Sequence, residues 1–563
     1  MIYHCEDYTC NYWDEGEKLP ERCPQCGRKL LRANEADMTG DDWTALGNTL
    51  WDAEASDKKR MVDCFRKAAY LGSAWGVCNL GICMEQGNGV EADPVQAFWL
   101  YQQAVEMGSL NAVCCLGVCY QYGIGTAPDA EKAAELYCKA AEYGSPRGQM
   151  LLARAFHDGI GVEADAAEAV HWVRAAAYQR YGEGMYRLGV CYEYGDGVEQ
   201  NWEHAVHWFR EAAESGVSVA MADLGYCYEK GCGVEQSWEQ AFSWYRRGAE
   251  CGYPVSMSNL GLCYKRGYGV EQNWQEAIKW YEQGAQCGHL QSMNNLACCY
   301  ERGEGVEQNE ERALYWYRRG AEAGSDYCMY CLGWNYSNGE GVEQNMTEAI
   351  RWYTAAAEGG NADAMHDLGW LYDHGEGVEQ DMKKAICWYE RAAEQNHPAA
   401  MNSLGECYAM GRGVPRDLET AMEWYRRAAE LGEAMADYNM GWHLEQAGKL
   451  SEAYAHYRKA ADGNDDSAWW ALGRFYENGV VVAQDGKEAR RCYETGEKLG
   501  SVKCKMRLAR CKLLGIGGRR AKKAGLDLCR QALELAKESS EKEDYGYEAE
   551  MNLLRRTIAE NES

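Results

Sequence analysis

The chain has 563 residues, more than a single hydrophobic core normally serves, and its 46% hydrophobic and 26% charged residues exclude a wholly disordered protein. Its formal net charge of −29 argues against nucleic acid and anionic membrane lipid as partners, because both are bound mainly through lysine and arginine. We find neither an uninterrupted apolar stretch of membrane-spanning length nor a basic region followed by an apolar run at the N-terminus, so we expect a cytoplasmic protein with reduced cysteines.

Four cysteines mark the N-terminal segment, residues 1–36. Cys5 and Cys10 are separated by four residues, and Cys23 and Cys26 by two, which supplies two pairs of thiolates suited to tetrahedral metal coordination. A segment this short could hardly fold without a metal or disulfides. We therefore predict one structural Zn²⁺ at these cysteines, with iron as the less favoured metal. Four free thiols on a disordered arm are the alternative.

The stretch 17–27 resembles the second knuckle of zinc ribbons and of the rubredoxin-like domain attached to rubrerythrins. Those families usually have two residues between the first two cysteines, whereas four separate Cys5 from Cys10 here. With all four positions taken by cysteine, the resemblance implies a structural or docking module. A rubredoxin-like redox or enzyme-associated module is the competing interpretation.

From residue 37 to about residue 535 the chain repeats one unit. Leucine followed by a small residue recurs every 36 residues, and less regular copies bring the number to about fourteen. The regular copies place leucine at Leu80, Leu116, Leu152, Leu188, Leu224, Leu260, Leu296, Leu332, Leu368 and Leu404.

Each unit is predicted to form two helices. Ala220, Leu224 and Tyr228 share one stripe of a first helix, and the glycine-containing loop 231–236 ends it. Residues 241–250 place apolar side chains on one side of a second helix. The glycine after the repeat leucine costs a helix about 1 kcal/mol relative to alanine, so its recurrence predicts close contact with another helix. A column of tryptophans in the second helices is the predicted set of large side chains opposite these small residues.

The pattern A-x3-LG-x2-Y-x2-G-x-GV-x2-N/D-x4-A-x2-WY-x2-AAE-x-G resembles the Sel-one-like repeat, a relative of the tetratricopeptide repeat. The resemblance implies an all-α, right-handed superhelical solenoid of about fourteen helix pairs, and members that act as adaptors in protein complexes. Residues 443–451 depart from the pattern, because they lack the G-x-G-V loop and resemble an ordinary tetratricopeptide turn. Residues 536–563 are predicted to form a capping helix.

No catalytic constellation is found at a convincing spacing. The histidines share no ligand-like motif, and the S-x-x-K matches at Ser56 and Ser539 lack the accompanying S-D-N and K-T-G motifs. The cysteines three residues after the repeat leucine form a column that we interpret as buried small hydrophobic side chains. The chain is therefore predicted not to be an enzyme.

The predicted partner site is a concave groove lined by first helices. Residues two before and two after the repeat leucine face away from the core stripe, and aromatic side chains there suit the anchoring of a partner peptide. The proposed groove residues are Tyr330, Trp334, His366, Trp370, Tyr438 and Trp442. The alternative is that these rings pack within the array.

Acidic residues on the same side favour a protein or peptide partner with a basic segment; they are Glu193, Glu229, Glu301, Asp373 and Glu445. The leading hypothesis is therefore a non-enzymatic interaction scaffold with a structural zinc module. An effector exported to act on a host cell is a further alternative.

Overall fold

The computed structural model describes the backbone of residues 2–5, 13–15, 30–33, 38–51, 55–542 and 548–562. Side chains are described for residues 38–51, 57–537 and 548–561. The chain divides into two compact units, residues 1–292 and 293–563, which we call the first and second units.

Three short strands lie at the start of the first unit: β1 (Ile2–Cys5), β2 (Trp13–Glu15) and β3 (Leu30–Ala33). They form one antiparallel sheet in the order β2-β1-β3, in which Ile2 is opposite Glu15 on one side and Ala33 on the other. Cys10, Cys23 and Cys26 lie outside the described residues, and of Cys5 only the backbone in β1 is described. The zinc site therefore stays a prediction.

The remainder of the described chain is helical. The first unit contains α1 (Gly40–Thr49), α2 (Ala55–Tyr70), α3 (Ala74–Gln86), α4 (Pro94–Glu106), α5 (Leu110–Tyr122), α6 (Ala130–Glu142), α7 (Pro146–Asp158), α8 (Ala166–Tyr178), α9 (Gly182–Tyr194), α10 (Trp202–Glu214), α11 (Ser218–Lys230), α12 (Trp238–Glu250), α13 (Pro254–Arg266) and α14 (Trp274–Gln286). The boundary between the units falls within α15 (Leu290–Arg302).

The second unit continues in the same way. Its further helices are α16 (Glu310–Glu322), α17 (Asp326–Asn338), α18 (Met346–Glu358), α19 (Ala362–His374), α20 (Met382–Glu394), α21 (Pro398–Met410), α22 (Leu418–Glu430), α23 (Ala434–Gln446), α24 (Leu450–Asp462), α25 (Asp466–Asn478), α26 (Gly486–Lys498), α27 (Val502–Leu514), α28 (Lys522–Lys542) and α29 (Glu548–Glu562). Within the described ranges, α1 to α28 make fourteen consecutive pairs, which agrees with the number expected from the sequence.

The loop between the two helices of a pair explains the paired glycines. Gly231 ends α11 with a left-handed backbone, φ 74°, and its amide donates to the Cys227 carbonyl. Gly233 also has a positive φ, and a β-carbon there would overlap the Trp202 carbonyl of α10. Gln236 then donates from Nε2 to the Glu229 carbonyl at 2.8 Å, which satisfies another free carbonyl at the helix end.

In most pairs, the core contains a glycine of the first helix packed against an aromatic ring of the second. A β-carbon on Gly225 would lie 2.5 Å from Cε1 of Tyr245, so only glycine fits without a shift. This confirms the predicted close helix contact. The large counterpart is nevertheless the tyrosine column and not the tryptophan column, because the atoms nearest to a β-carbon on Gly225 all belong to Tyr245, which is 1% exposed. In the tryptophan column Trp244 is buried, whereas members such as Trp208 are half-buried.

The end of the chain closes the array differently from the prediction. Residues 536–542 continue α28, and the separate helix α29 begins at Glu548 and packs against α27 and α28. Arg507 of α27 pairs with Glu550 of α29 at 2.6 Å, and both side chains are largely buried. The predicted short turn is present, because only residues 447–449 separate α23 from α24.

Candidate functional site

The first helices of the second unit carry exposed tryptophans. Trp334 on α17, Trp370 on α19 and Trp442 on α23 are 46%, 39% and 38% exposed, respectively. Each lies two residues after the repeat leucine or its methionine equivalent, and therefore on the side of its helix that turns away from the buried stripe. We call these three residues the tryptophan row.

The other three predicted groove residues occupy a different environment. Tyr330, His366 and Tyr438 lie two residues before the repeat position and are half-buried. Each ring packs near the buried tyrosine of its own pair, with centroid distances of 5.8 Å to Tyr353, 5.8 Å to Tyr389 and 5.6 Å to Tyr457. These three side chains thus support the pair core beneath the surface.

Polar contacts hold the half-buried rings in place. The Tyr330 hydroxyl donates to Asp367 Oδ2 at 3.2 Å, and His366 Nδ1 lies 3.1 Å from Asp367 Oδ1. Burial raises the pKa of Tyr438 to about 12, so its hydroxyl stays protonated. Asp367 therefore links α17 to α19 directly below the tryptophan row.

Sequence reasoning missed three exposed apolar side chains that share the stripe of the tryptophans: Tyr327, Met410 and Met435. Tyr327 precedes Trp334 by seven residues, and Met435 precedes Trp442 by seven, a spacing that places each pair on one helix face. Met410 lies at the end of α21 between the two tryptophan-bearing helices α19 and α23 in chain order. The spacing of seven was the signal available in the sequence.

Most of the acidic residues that were predicted to attract a basic partner are engaged by the chain itself. Asp373 is 4% exposed and pairs with Arg412 at 2.9 Å. Glu445 pairs with Arg474 at 2.6 Å and accepts from the Tyr457 hydroxyl at 2.7 Å. In the same way, Glu229 and Glu301 accept hydrogen bonds from Tyr245 and Tyr317, respectively, and burial raises the pKa of Glu301.

Two further carboxylates are partly exposed, although each has a basic partner in the chain: Asp363 lies 3.1 Å from His397 Nε2, and Glu406 lies 3.7 Å from Arg412. Asp363 of α19 is 63% exposed at its side chain, and Glu406 of α21 is 38% exposed. Glu406 occupies the position equivalent to the three tryptophans, between Trp370 and Trp442 in the succession of pairs. The surface therefore combines indole rings with partly exposed carboxylates.

The cysteine column is buried, as predicted, except for Cys191, which is half-buried. Cys83, Cys227 and Cys263 are free thiols with 1% exposure or less, and burial raises the pKa of each. Over the side chains that are described, no group of three His, Cys, Asp or Glu residues is arranged to hold a metal ion. No described helix combines the length and the apolar character needed to cross a bilayer.

The fold and this surface define a helix-pair repeat protein related to the tetratricopeptide class. Comparison with protein families gives twelve matches to the Sel1 repeat, and together they cover most of the chain. They span residues 76–109, 112–145, 146–181, 182–217, 218–253, 254–289, 290–325, 326–361, 362–397, 398–433, 434–465 and 468–501. The chain belongs to the Sel1 repeat family, whose members are generally non-enzymatic interaction scaffolds.

The solved structures that are similar to this chain include two further repeat proteins. A protective antigen of uropathogenic Escherichia coli strains, which displays the same repeat fold, is 29% identical with a TM-score of 0.54, and the match covers 76% of this chain and 94% of the antigen. A Sel1 repeat protein from Oxalobacter formigenes is 28% identical with a TM-score of 0.47, covering 56% of this chain and 94% of that protein. The comparison with curated proteins gave no match.

Proposed function

We propose that this protein is a non-catalytic scaffold that holds a segment of a partner protein on the first helices of its second unit. The observation that carries the proposal is the exposure of Trp334, Trp370 and Trp442 on one stripe. Several exposed apolar side chains that share one stripe are typical of an interaction surface, and tryptophan is enriched among the residues that dominate the energetics of protein interfaces.

The methionines beside the tryptophan row fit the same role. Met410 and Met435 are 58% and 48% exposed, and their flexible thioether side chains adapt to irregular partner surfaces. Rings and thioethers together form an apolar surface whose burial by a partner would displace water. Each tryptophan at the centre of such a contact typically contributes about 2 kcal/mol or more.

The partner segment is proposed to be basic. The chain carries a formal net charge of −29, and Asp363 and Glu406 are partly exposed on α19 and α21, where they contact His397 and Arg412, respectively. Opposite charge on the partner would speed association and fix its orientation, and added salt would weaken binding.

Affinity capture with purified full-length protein tests the proposal. The triple variant Trp334→Ala, Trp370→Ala, Trp442→Ala is expected to lower partner recovery at least tenfold, which corresponds to about 1.4 kcal/mol. Trp99→Ala is the matched control, because Trp99 is 52% exposed on the second helix α4. Recovery by the triple variant at the level of the unmodified protein would exclude the tryptophan row as the main contact.

We also propose that Cys5, Cys10, Cys23 and Cys26 hold one structural Zn²⁺ and that the protein works in the cytoplasm. The spacing of the four thiols supports the first proposal, and the free cysteines of the described helices support the second. Elemental analysis of the full-length protein is expected to find about one zinc per chain. Iron with a reversible redox signal would instead support the redox-module alternative. Cell fractionation tests the location.

A further inference from the structure

The aromatic column of the second helices is interrupted once inside the array. Twelve of the fourteen pairs place a phenylalanine or tyrosine at this position: Phe65, Tyr101, Tyr137, Phe209, Tyr245, Tyr281, Tyr317, Tyr353, Tyr389, Tyr425, Tyr457 and Tyr493. Cys529 replaces the ring in the last pair, where Met551 and Leu554 of α29 fill the core. Val173 of α8 is the exception within the array.

Two other positions of the same helix pair also differ from the repeat pattern. The glycine that normally faces the ring is Ala153, and the residue that accepts the tyrosine hydroxyl in other pairs is His157. In those pairs the acceptor lies five residues after the repeat leucine, as Glu229 does for Tyr245 at 2.8 Å. The pair α7/α8 therefore lacks the ring, its close-packed glycine and its hydrogen-bond acceptor.

A cavity of about 770 Å³ lies where the ring is missing, between α7, α8 and α9. Val173, Ala153 and His157 all line it, so it includes the space that the tyrosine ring and hydroxyl fill in other pairs. Its floor is apolar and buried, since Val173 is 6% and Val170 3% exposed. Its volume lies in the range of ligand-binding pockets, roughly 300–1,000 Å³.

The alanine at residue 153 does not by itself exclude an aromatic ring at residue 173. In the second unit, Ala297 occupies the glycine position of α15, yet Tyr317 of α16 keeps its ring and donates to Glu301 at 3.2 Å. A tyrosine at residue 173 is therefore compatible with Ala153. An unfilled cavity lowers stability in proportion to its volume, so its presence in an otherwise regular array points to a use for the space.

The rim of the cavity carries positive charge that the chain does not neutralise. Arg187 of α9 is exposed and, among the described residues, forms no ion pair. Arg147 of α7 donates to the neutral Asn111 Oδ1 at 2.6 Å and Cys115 Sγ at 3.6 Å. Two guanidinium groups are thus available for an anion in a protein whose overall charge is strongly negative.

Two of the three carboxylates that line the cavity, Asp158 and Asp196, pair with basic side chains, whereas Glu183 accepts from a neutral hydroxyl and keeps its negative charge. Asp158 contacts Arg154 at 3.3 Å and His157 at 2.7 Å, and Asp196 contacts His157 at 3.2 Å. Glu183 accepts from the Tyr181 hydroxyl at 3.5 Å. The hydrogen bond to Asp158 raises the pKa of His157, which favours a protonated ring that pairs with Asp158 and Asp196.

We propose that this cavity is a second binding site, and that it takes an aromatic side chain of a partner protein together with a neighbouring carboxylate. The aromatic ring occupies the space left by Val173, and the carboxylate pairs with Arg187 and Arg147. The site lies in the first unit and selects acidic segments, so it is independent of the tryptophan row and opposite to it in charge preference.

Fluorescence anisotropy with the full-length protein tests this site. The probe is a fluorescein-labelled heptapeptide, Ser-Gly-Glu-Phe-Glu-Gly-Ser, and the matched peptides carry Lys in place of both Glu or Ala in place of Phe. The unmodified protein is expected to bind the probe with a Kd of about 100 μM or tighter, and to bind each matched peptide at least tenfold more weakly.

Two variants and two controls locate the contact. Val173→Tyr fills the cavity and Arg187→Gln removes the guanidinium that is proposed to bind the carboxylate, so each is expected to raise Kd at least tenfold. Phe209→Tyr in the neighbouring pair and Arg246→Gln on the second helix α12 are expected to leave it unchanged, because neither residue lines the cavity. If Val173→Tyr does not fold, Arg187→Gln alone decides.

The proposal is overturned if the unmodified protein shows no saturable binding at about 1 mM probe. It is also overturned if Arg187→Gln binds the probe as tightly as the unmodified protein. Tighter binding of the Lys peptide than of the Glu peptide would contradict the assigned charge preference and overturn it equally.

Discussion

Cε1 of Tyr245 lies so close to Gly225 that a β-carbon on residue 225 would stand 2.5 Å away. Gly225→Ala is therefore expected to displace the ring and to cost about 1–2 kcal/mol, because overpacking outweighs the roughly 1 kcal/mol that alanine gains over glycine in a helix. Urea unfolding together with hydrogen exchange in α11 and α12 measures the effect.

Ala297→Gly is the reverse control for that substitution. Alanine is native opposite Tyr317, so its removal relieves no overlap and is expected to destabilise α15 by about 1 kcal/mol through helix propensity. A stabilised Gly225→Ala variant would contradict the argument that ring contact selects glycine.

A hydroxyl added at Phe209 is expected to stabilise the protein. Burial and the nearby Asp223 raise the pKa of Glu193, which occupies the position that accepts the tyrosine hydroxyl in other pairs. Phe209→Tyr would supply the missing donor and stabilise the ionised carboxylate by about 1 kcal/mol at neutral pH. The gain should disappear as the pH falls and Glu193 becomes protonated.

Tyr245→Phe tests the same interaction in the opposite direction. It removes the hydrogen bond to Glu229 and is expected to lose about 1 kcal/mol at neutral pH, measured by the same unfolding and exchange experiments. If both variants are as stable as the unmodified protein, the hydrogen bonds from the tyrosine hydroxyls to these carboxylates contribute nothing to stability.

Asp465 makes stability depend on pH. Burial raises its pKa to about 6, above the unfolded value of about 3.9, although the side chain accepts from the Ala468 amide at 2.6 Å. The folded state therefore holds the proton more tightly, and this contribution to stability is complete below about pH 4 and is lost as the pH rises through about 6. Asp465→Asn keeps the cap without the charge, and we expect about 2 kcal/mol of stabilisation at pH 7 to 8 that vanishes near pH 4.

Asp417→Asn provides a control of opposite sign. Asp417 is an exposed cap of α22, and hydrogen bonds from Thr420 lower its pKa. That contribution is present above the unfolded pKa and is lost as the pH falls, so the substitution should destabilise at neutral pH only. Matching pH profiles for the two variants would contradict the assignment of burial as the cause at Asp465.

The buried cysteine column predicts selective alkylation. Burial raises the pKa of Cys227 and Cys263 to about 12, so both thiols stay protonated and shielded in the folded protein. Cys251, Cys287 and Cys387 are exposed. Brief treatment with iodoacetamide, followed by peptide mass spectrometry, is expected to label these three and to label the column only after unfolding in urea. Rapid labelling of Cys263 under native conditions would show that the helices around the cysteine column separate and expose its thiols.

The sequence alone determined the repeat, the two helices of each unit, the close contact at glycine and the burial of the cysteine column. These features follow from local periodicity and from residue size at fixed spacing, since helix positions three and four apart share a face. The break at Val173 was also visible, because twelve of the other thirteen units place a ring after the residue aligned with Trp172.

The tertiary structure decided which aromatic side chains reach solvent. Tyr330 and Trp334 lie one turn apart on α17, yet Tyr330 packs beside Tyr353 whereas Trp334 is exposed. The difference arises because the second helix of the pair, α18, covers Tyr330 and leaves Trp334 uncovered. Spacing along one helix defines a face but not what packs against it. For the same physical reason, the cavity beside Val173 and the position of Arg187 on its rim follow only from the packing of α7, α8 and α9 against one another.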